Sequence, residues 1–379
     1  MEDRRSPSAI LYLQSSIIAG LLLVGSNALA ASAAPAVLKA KQEAEAKSYI
    51  FESSRNEIIA KAKKEGRLRA LSSLEPQTIK ALRNAFKAEY SFLDVHVEEL
   101  TGTDANQRFL LEMKAGRAST WDIVHVSTDY YQEYPPHLKR FDVLGMTGSG
   151  ILRMPVHLID PNNRNIVAAT SAIQVVAFNK KLISPDKVPD AWEEFLKPEL
   201  KGRKFIADIR PTEIAALVPA WGLEKTVDFA RRLAQQQPIW VRGGSRTLAS
   251  MAAGEYALFI GPNFHTVKRA QMKDPTGSLD LKITNPVPTR LSDVTGVLNA
   301  ASHPYAALLW LEFLVSPKGQ KLVDVHEPFG ASVFVAGFTQ EQATRGKSLS
   351  IVDWDHFAKM HSYQEKVVEA YGFPKVERK

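Results

Sequence analysis

Cysteine is absent from all 379 residues. That excludes disulfides, thiolate metal sites and a lipid anchor on an amino-terminal cysteine. Long hydrophobic runs are almost as scarce. The one candidate, residues 17–24, follows Arg4 and Arg5 and precedes Ala28-Leu29-Ala30. A basic start, a short apolar stretch and a small-x-small site describe a secretory signal peptide over residues 1–30. As a permanent anchor, the alternative reading, the run falls short of the ~20 apolar residues that span a bilayer. No basic run is interleaved with aromatics, which argues against nucleic acid as a partner. There is no P-loop, HExxH, GxSxG elbow or glycine-rich dinucleotide fingerprint, so no enzyme and no cofactor is expected.

The chain is 45% apolar, enough for a large core and about two domains. With 48 Lys and Arg against 41 Asp and Glu, its formal charge is +7. Such a balance mildly favours anionic ligands by steering.

Residues 36–48 are rich in Ala, Lys and Glu, which predicts an exposed helix or tail. A helix is expected over 57–64, stopped by Gly66, with Leu68, Ala70 and Leu71 in a first buried strand. Ile79, Leu82 and Phe86 recur at helical spacing, and Val95 and Val97 alternate as in a strand. Asp104 and Gln107 at capping-box spacing open a helix that Gly116 ends, and residues 121–126 form the next strand. This alternation predicts a mostly parallel sheet with helices on both faces. Helices over 226–235 and 245–253, a strand over 256–260 and a return strand over 283–288 continue it. The tail from Phe338 onward is read as helical and as wrapping the first lobe.

The most informative stretch is residues 172–208. It contains a buried-strand run Val175-Val176-Ala177-Phe178 and Pro185 and Pro189 in the linker. A short helix follows, N-capped by Asp190, with Trp192 and Phe195 turned to a core; Pro198 and Gly202 punctuate the way to a strand at Phe205-Ile206.

This order of parts resembles the extracellular solute-binding proteins of ABC importers, the type II periplasmic-binding-protein fold that includes ferric-iron binders. Three further stretches carry the resemblance: Lys63-Lys64-Glu65-Gly66; Glu112-Met113-Lys114-Ala115-Gly116 with Trp121-Asp122-Ile123; and His303-Pro304-Tyr305-Ala306-Ala307 with Ser316-Pro317-Lys318-Gly319-Gln320. It implies an α/β protein of two lobes with mainly parallel sheets, joined by two crossover strands and closing on a solute by hinge motion. The implied division is a signal peptide over 1–30 and a helical extension over 31–55. Lobe 1 would take 56–172, lobe 2 173–287, and 288–379 would return to lobe 1 with the helical tail. The implied partners are a small-molecule solute and a permease and ATPase complex in the inner membrane. The expected protein is a periplasmic monomer without stable membrane insertion.

Ligands of open parallel sheets gather at the carboxyl ends of strands. That rule selects Ser72, Ser73, Thr103, Ser127 and Ser171 on one side, and Arg210, Thr212, Ser245, Arg246 and Asn263 on the other, with Asn299 after the return strand. Hydroxyls, amides and helix N-termini suit oxyanions, with Gly243-Gly244-Ser245-Arg246 the leading candidate. Ser245 as an ordinary N-cap, and Arg210 in an ion pair with Asp208 or Glu213, are the plain readings of the same residues. Iron binders of the family carry a tyrosine pair after the strand matching 256–260; here Gly261-Pro262-Asn263-Phe264-His265 stands instead. The paired Tyr130 and Tyr131 fall in the other lobe, where packing or a rim role explains them. A small anion, a carboxylate or phosphorylated compound, is therefore the expected solute. Iron or another metal, or presentation of a ligand to a membrane sensor, is the alternative.

Overall fold

The computed structural model describes residues 35–327, 330 and 332–373. The signal-peptide reading of residues 1–30 lies outside them. Among the described residues no helix is long and apolar enough to cross a membrane. Among the described residues ten strands run in chain order as β1 (Arg67–Ser72), β2 (Asp94–Glu99), β3 (Ile123–His125), β4 (Ile166–Asn179), β5 (Ile206–Asp208), β6 (Ile239–Val241), β7 (Leu258–Asn263), β8 (Leu279–Lys282), β9 (Val287–Val297) and β10 (Leu349–Val352). The longer helices are α1 (Arg55–Glu65), α2 (Pro76–Glu89), α3 (Thr103–Lys114), α4 (Leu223–Gln235), α5 (Gly244–Ala252), α6 (Phe264–Lys273), α7 (Pro304–Val315), α8 (Pro317–His326) and α9 (Met360–Tyr371).

Local chemistry explains the element ends. Ser54 caps α1 by accepting the Glu57 N–H, and Gly66 ends it in a left-handed conformation at φ +65°. The α3 helix starts one residue before the expected capping box, with Gly102 as its cap. Helix α7 is buried from Ala306 through Val315 and sits in the core of the first lobe. Its buried Glu312 is neutralised there by Arg55 at 2.8 Å, as a charge in a core requires.

The strands form one sheet in the order β2-β1-β3-β9-β4-β7-β5-β6, with β10 on β9 and β8 on β4. Parallel pairing dominates each outer part, β1 with β2 and β3, and β5 with β6 and β7. The centre is antiparallel. All of β4 is buried; it pairs with β9 from Ile166 to Ile173, then with β7 and β8 from Gln174 onward. β4 and β9 are thus the two strands that join two α/β lobes. A cluster around Phe86, Trp310 and Phe313 fills the first lobe, and Trp192, Phe195 and Phe205 fill the second.

Three sequence expectations change. The crossover helix is a 3-10 turn, Trp192–Leu196, capped by Ala191, because Asp190 instead pairs with Lys282 at 2.8 Å. Its Trp192 and Phe195 are buried as expected, and Trp192 Nε1 donates to the Pro286 carbonyl at 2.7 Å. The return strand is β9, which starts at Val287 and extends through Val297. The tail packs on both lobes rather than on the first alone: Trp354 and Phe357 are buried with Phe109, Val126 and Tyr131 of the first lobe. β10 pairs with β9 at the crossover, and α9 buries Val367 and Tyr371, one helical turn apart, in the core of the second lobe. Tyr371 lies 4.7 Å from Trp240 between ring centres.

Candidate functional site

The carboxyl ends of the parallel strands of both lobes meet over β4 and β9. There a cavity of about 380 Å³ is lined from the first lobe by Ser73, His125 and Ser127, and from the second by Arg210, Asn263 and Arg269. A second cavity of about 210 Å³ continues it toward Asp208, Thr212 and Glu213, sharing Arg210, Asn263, Thr266 and Arg290.

Side-chain alternation along β4 decides which residues reach this cleft. Thr170, Ala172 and Gln174 line it. Ser171 faces the other way and is wholly buried; it donates to Gln340 Oε1 at 3.0 Å and accepts the Val333 N–H at 2.9 Å. It fastens the tail to the crossover strand instead.

The other sequence candidates divide. Ser73, Ser127, Arg210, Thr212 and Asn263 line the cleft. Ser72 is buried beside it, accepting the Leu74 N–H at 3.2 Å. Thr103 opens α3; its side chain lies outside the described structure. Asn299 is exposed at the far end of the sheet, because β9 runs antiparallel to β3. The register Ile123↔Val297 places the end of β9 at the start of β3. The carboxyl-end rule holds only for parallel strands.

Ser245 and Arg246 are exposed. Ser245 faces an apolar groove of about 450 Å³ between α5 and α6. It does not cap α5, whose N-cap is Gly243. The end of α5 is held by Asp208, which accepts the Gly243 N–H at 3.0 Å. The same carboxylate accepts the Arg210 backbone N–H at 2.9 Å and its Nη2–H at 3.0 Å. Asp208 therefore positions Arg210 at the cleft, and the ion pair and the cleft-lining role coexist. Of the leading tetrapeptide, Gly244 reaches the cleft.

Sequence reading missed Arg269, Arg290 and Asp293, all of which line the cavity. Arg290 and Asp293 fall within a strand that is otherwise largely buried. Charged residues inside such a run were the available signal. Arg269 also ties the lobes together through ion pairs to Glu75 and, at 3.6 Å, to Glu327.

The arginines set the electrostatics. Burial, then the charges of Arg269 and Arg290, pushes His265 down to about 3, so its imidazole is neutral. Glu213 is held well above the usual carboxylate range by burial and by Asp208, against the opposing pull of Arg210 and Arg290. Among the described residues no group of three or more His, Asp or Glu is gathered to hold a metal ion. Tyr130 and Tyr131 line an adjoining cavity of about 220 Å³ that shares Thr212 and Arg290 with the cleft; the Tyr131 hydroxyl is buried there, hydrogen-bonded to Asp160 and accepting from Asn163 at 2.9 Å.

A family model for bacterial extracellular solute-binding proteins matches residues 126–360. Among solved structures, the chain is similar to a Trichodesmium IdiA (FutA) protein in complex with iron and citrate, at 19% identity and TM-score 0.60, over 82% of this chain and 100% of that one. The Bordetella ferric binding protein matches at 16% identity and TM-score 0.61, over 82% and 100%. A substrate binding protein of an ABC transporter from Agrobacterium tumefaciens matches at 18% identity and TM-score 0.59, over 82% and 96%. At these identities the likeness speaks for the fold. No curated protein matches the chain.

Proposed function

Because this chain belongs to the family of bacterial extracellular solute-binding proteins, we propose that it is the periplasmic subunit of an ABC importer and that its solute carries an oxyanion. The lobes, meeting near Ile173 on β4, close on the solute and present it to a permease and ATPase complex in the inner membrane. One observation carries the oxyanion reading: Arg210, Arg269 and Arg290 line a single cavity together with the amino end of α6 at Asn263. Guanidinium groups bind carboxylates and phosphates bidentately, and a helix N-terminus adds unpaired N–H groups.

A second reading has support from the iron binders of like fold. A bare ferric ion needs hard anionic ligands gathered at one point, and the hydroxyl of Tyr131, beside the cleft, is engaged by Asp160. An iron–citrate complex, being anionic, would engage the same arginines.

The test is a thermal-shift panel of citrate, ferric citrate, ferric ion and phosphorylated compounds on the mature protein. A bound anion raises the melting temperature by mass action. Arg290→Ala should abolish most of the shift, and Ser245→Ala should leave it unchanged. A shift with ferric ion alone, undiminished in Arg290→Ala, would refute the oxyanion reading.

A further inference from the structure

The walls of the cleft carry opposite charge. Arg210 and Arg269 stand on the second lobe and Arg290 on β9, whereas Asp293 stands on the first-lobe side with Ser73, Ser127 and His125. Asp293 is the informative residue. It is buried, and its backbone lies at φ +46°, a left-handed conformation that residues with a Cβ adopt at a cost. Its Oδ1 accepts the Ser73 hydroxyl at 2.8 Å and lies 4.0 Å from His125 Nδ1. Burial pushes the His125 imidazole below its usual value in spite of Asp293. A neutral imidazole leaves the charge of the carboxylate uncancelled.

We propose that the solute is bipolar, with its oxyanion at Arg210 and Arg290 and a protonated primary amine at Asp293, Ser73 and Ser127; this rests on the oxyanion reading above. A primary ammonium has three N–H donors, and one carboxylate with two hydroxyls offers a matching set of acceptors. The cavity of about 380 Å³ has room for about a dozen water-sized groups. That size suits an amino acid or a small phosphorylated amine. Arg290 and Asp293 share β9, whereas Arg210 stands on the second lobe and Ser73 and Ser127 on the first, so the full set of contacts forms only when the lobes are closed on the solute.

The experiment is isothermal titration of the mature protein with matched pairs that differ in the amine alone: O-phosphoethanolamine against ethyl phosphate, and 4-aminobutyrate against butyrate. The amine-bearing member should bind about tenfold more tightly or better, the effect of a charge-assisted hydrogen-bond set. Asp293→Asn should erase that preference and keep the weaker binding of the plain anion. Asparagine tolerates the left-handed backbone, so this variant retains the fold. Ser73→Ala, which keeps the carboxylate, should narrow the preference without abolishing it. Equal affinity within each pair, or an equal loss for both members in Asp293→Asn, overturns the bipolar solute while leaving the oxyanion reading intact. Binding of no member of either pair overturns both.

Discussion

The carboxy-terminal segment makes a sharp prediction about what holds the lobes in register. Gln132 Nε2 donates to the Ala358 carbonyl and Trp354 Nε1 to the His157 carbonyl, both from the first-lobe side of the segment. On the second-lobe side Gln364 Nε2 donates to Thr212 Oγ1 at 3.1 Å, and Tyr371 is buried against Trp240. Residues 349–371 are thus a third connection between the lobes, anchored at its end by Val367 and Tyr371, with Phe373 packed against Trp240 beside them. Tyr371→Ala removes the tyrosine ring and leaves a cavity, which costs about 3–4 kcal/mol. Because α9 docks on the second lobe through Val367 and Tyr371, the loss falls on local docking. About 3 kcal/mol is a hundredfold increase in the open population of α9. Hydrogen exchange of residues 360–371 should accelerate accordingly, while β4 and β9 keep their protection. Tyr371→Phe should behave oppositely. The Tyr371 hydroxyl is buried with no hydrogen-bond partner, so its removal is neutral or stabilises by about 1 kcal/mol. If Tyr371→Ala lowers the melting temperature without faster exchange in α9, the anchor is not where the packing places it.

Glu213 makes the cleft sensitive to pH. Its Oε1 is buried without a partner, and its pKa is raised mainly by burial. The folded state therefore keeps a proton that the unfolded chain releases above about pH 4.3, so stability falls as pH rises from there. Glu213→Gln should melt above wild type at pH 8 and together with it at pH 4. Gly261 lies at φ +76°, and an added Cβ would stand 2.2 Å from Glu213 Cγ. Gly261→Ala should cost about 2–4 kcal/mol, the left-handed strain plus overpacking, and a melt unchanged from wild type would show that the loop yields.

Much of the fold was legible because its signals are local. Gly66, Pro304 and Ser316-Pro317 mark helix boundaries that the structure places within a residue or two. The crossover strand announced itself by four consecutive apolar residues, Val175 to Phe178, all buried. What failed was longer in range. Val367 and Tyr371 show a short apolar stripe, which predicts a buried face but does not name the lobe that buries it. The stretch from Pro288 to Gly296 mixes Arg290 and Asp293 with Val294 and Leu291. In a strand that lines a cleft, charged residues interrupt the apolar pattern, so the return strand read as ending early.

The site was half legible for a related reason. The carboxyl-end rule found Ser73, Ser127, Arg210, Thr212 and Asn263 because each follows, or belongs to, a strand whose end opens on the cleft. It could not find residues carried by the crossover strands, which pass beneath the ligand rather than ending at it. Arg290, Thr170 and Gln174 are of that kind. Arg269 is of another, placed on the second turn of α6 and bound to Glu75 and Glu327 of the facing lobe. These missed residues also link binding to motion. A solute held by Arg290 on β9 and Arg210 on the second lobe acts across the strands that must bend. Arg269 already closes an ion pair over the same gap, and Glu327 answers it from a buried position where Thr78 and the Glu75 backbone also bind it. On the proposed reading, an incoming oxyanion meets Arg210 and Arg269 already oriented by Asp208 and Glu327, so less ordering is lost on binding, and the affinity it gains is the part that the lobes share only when closed.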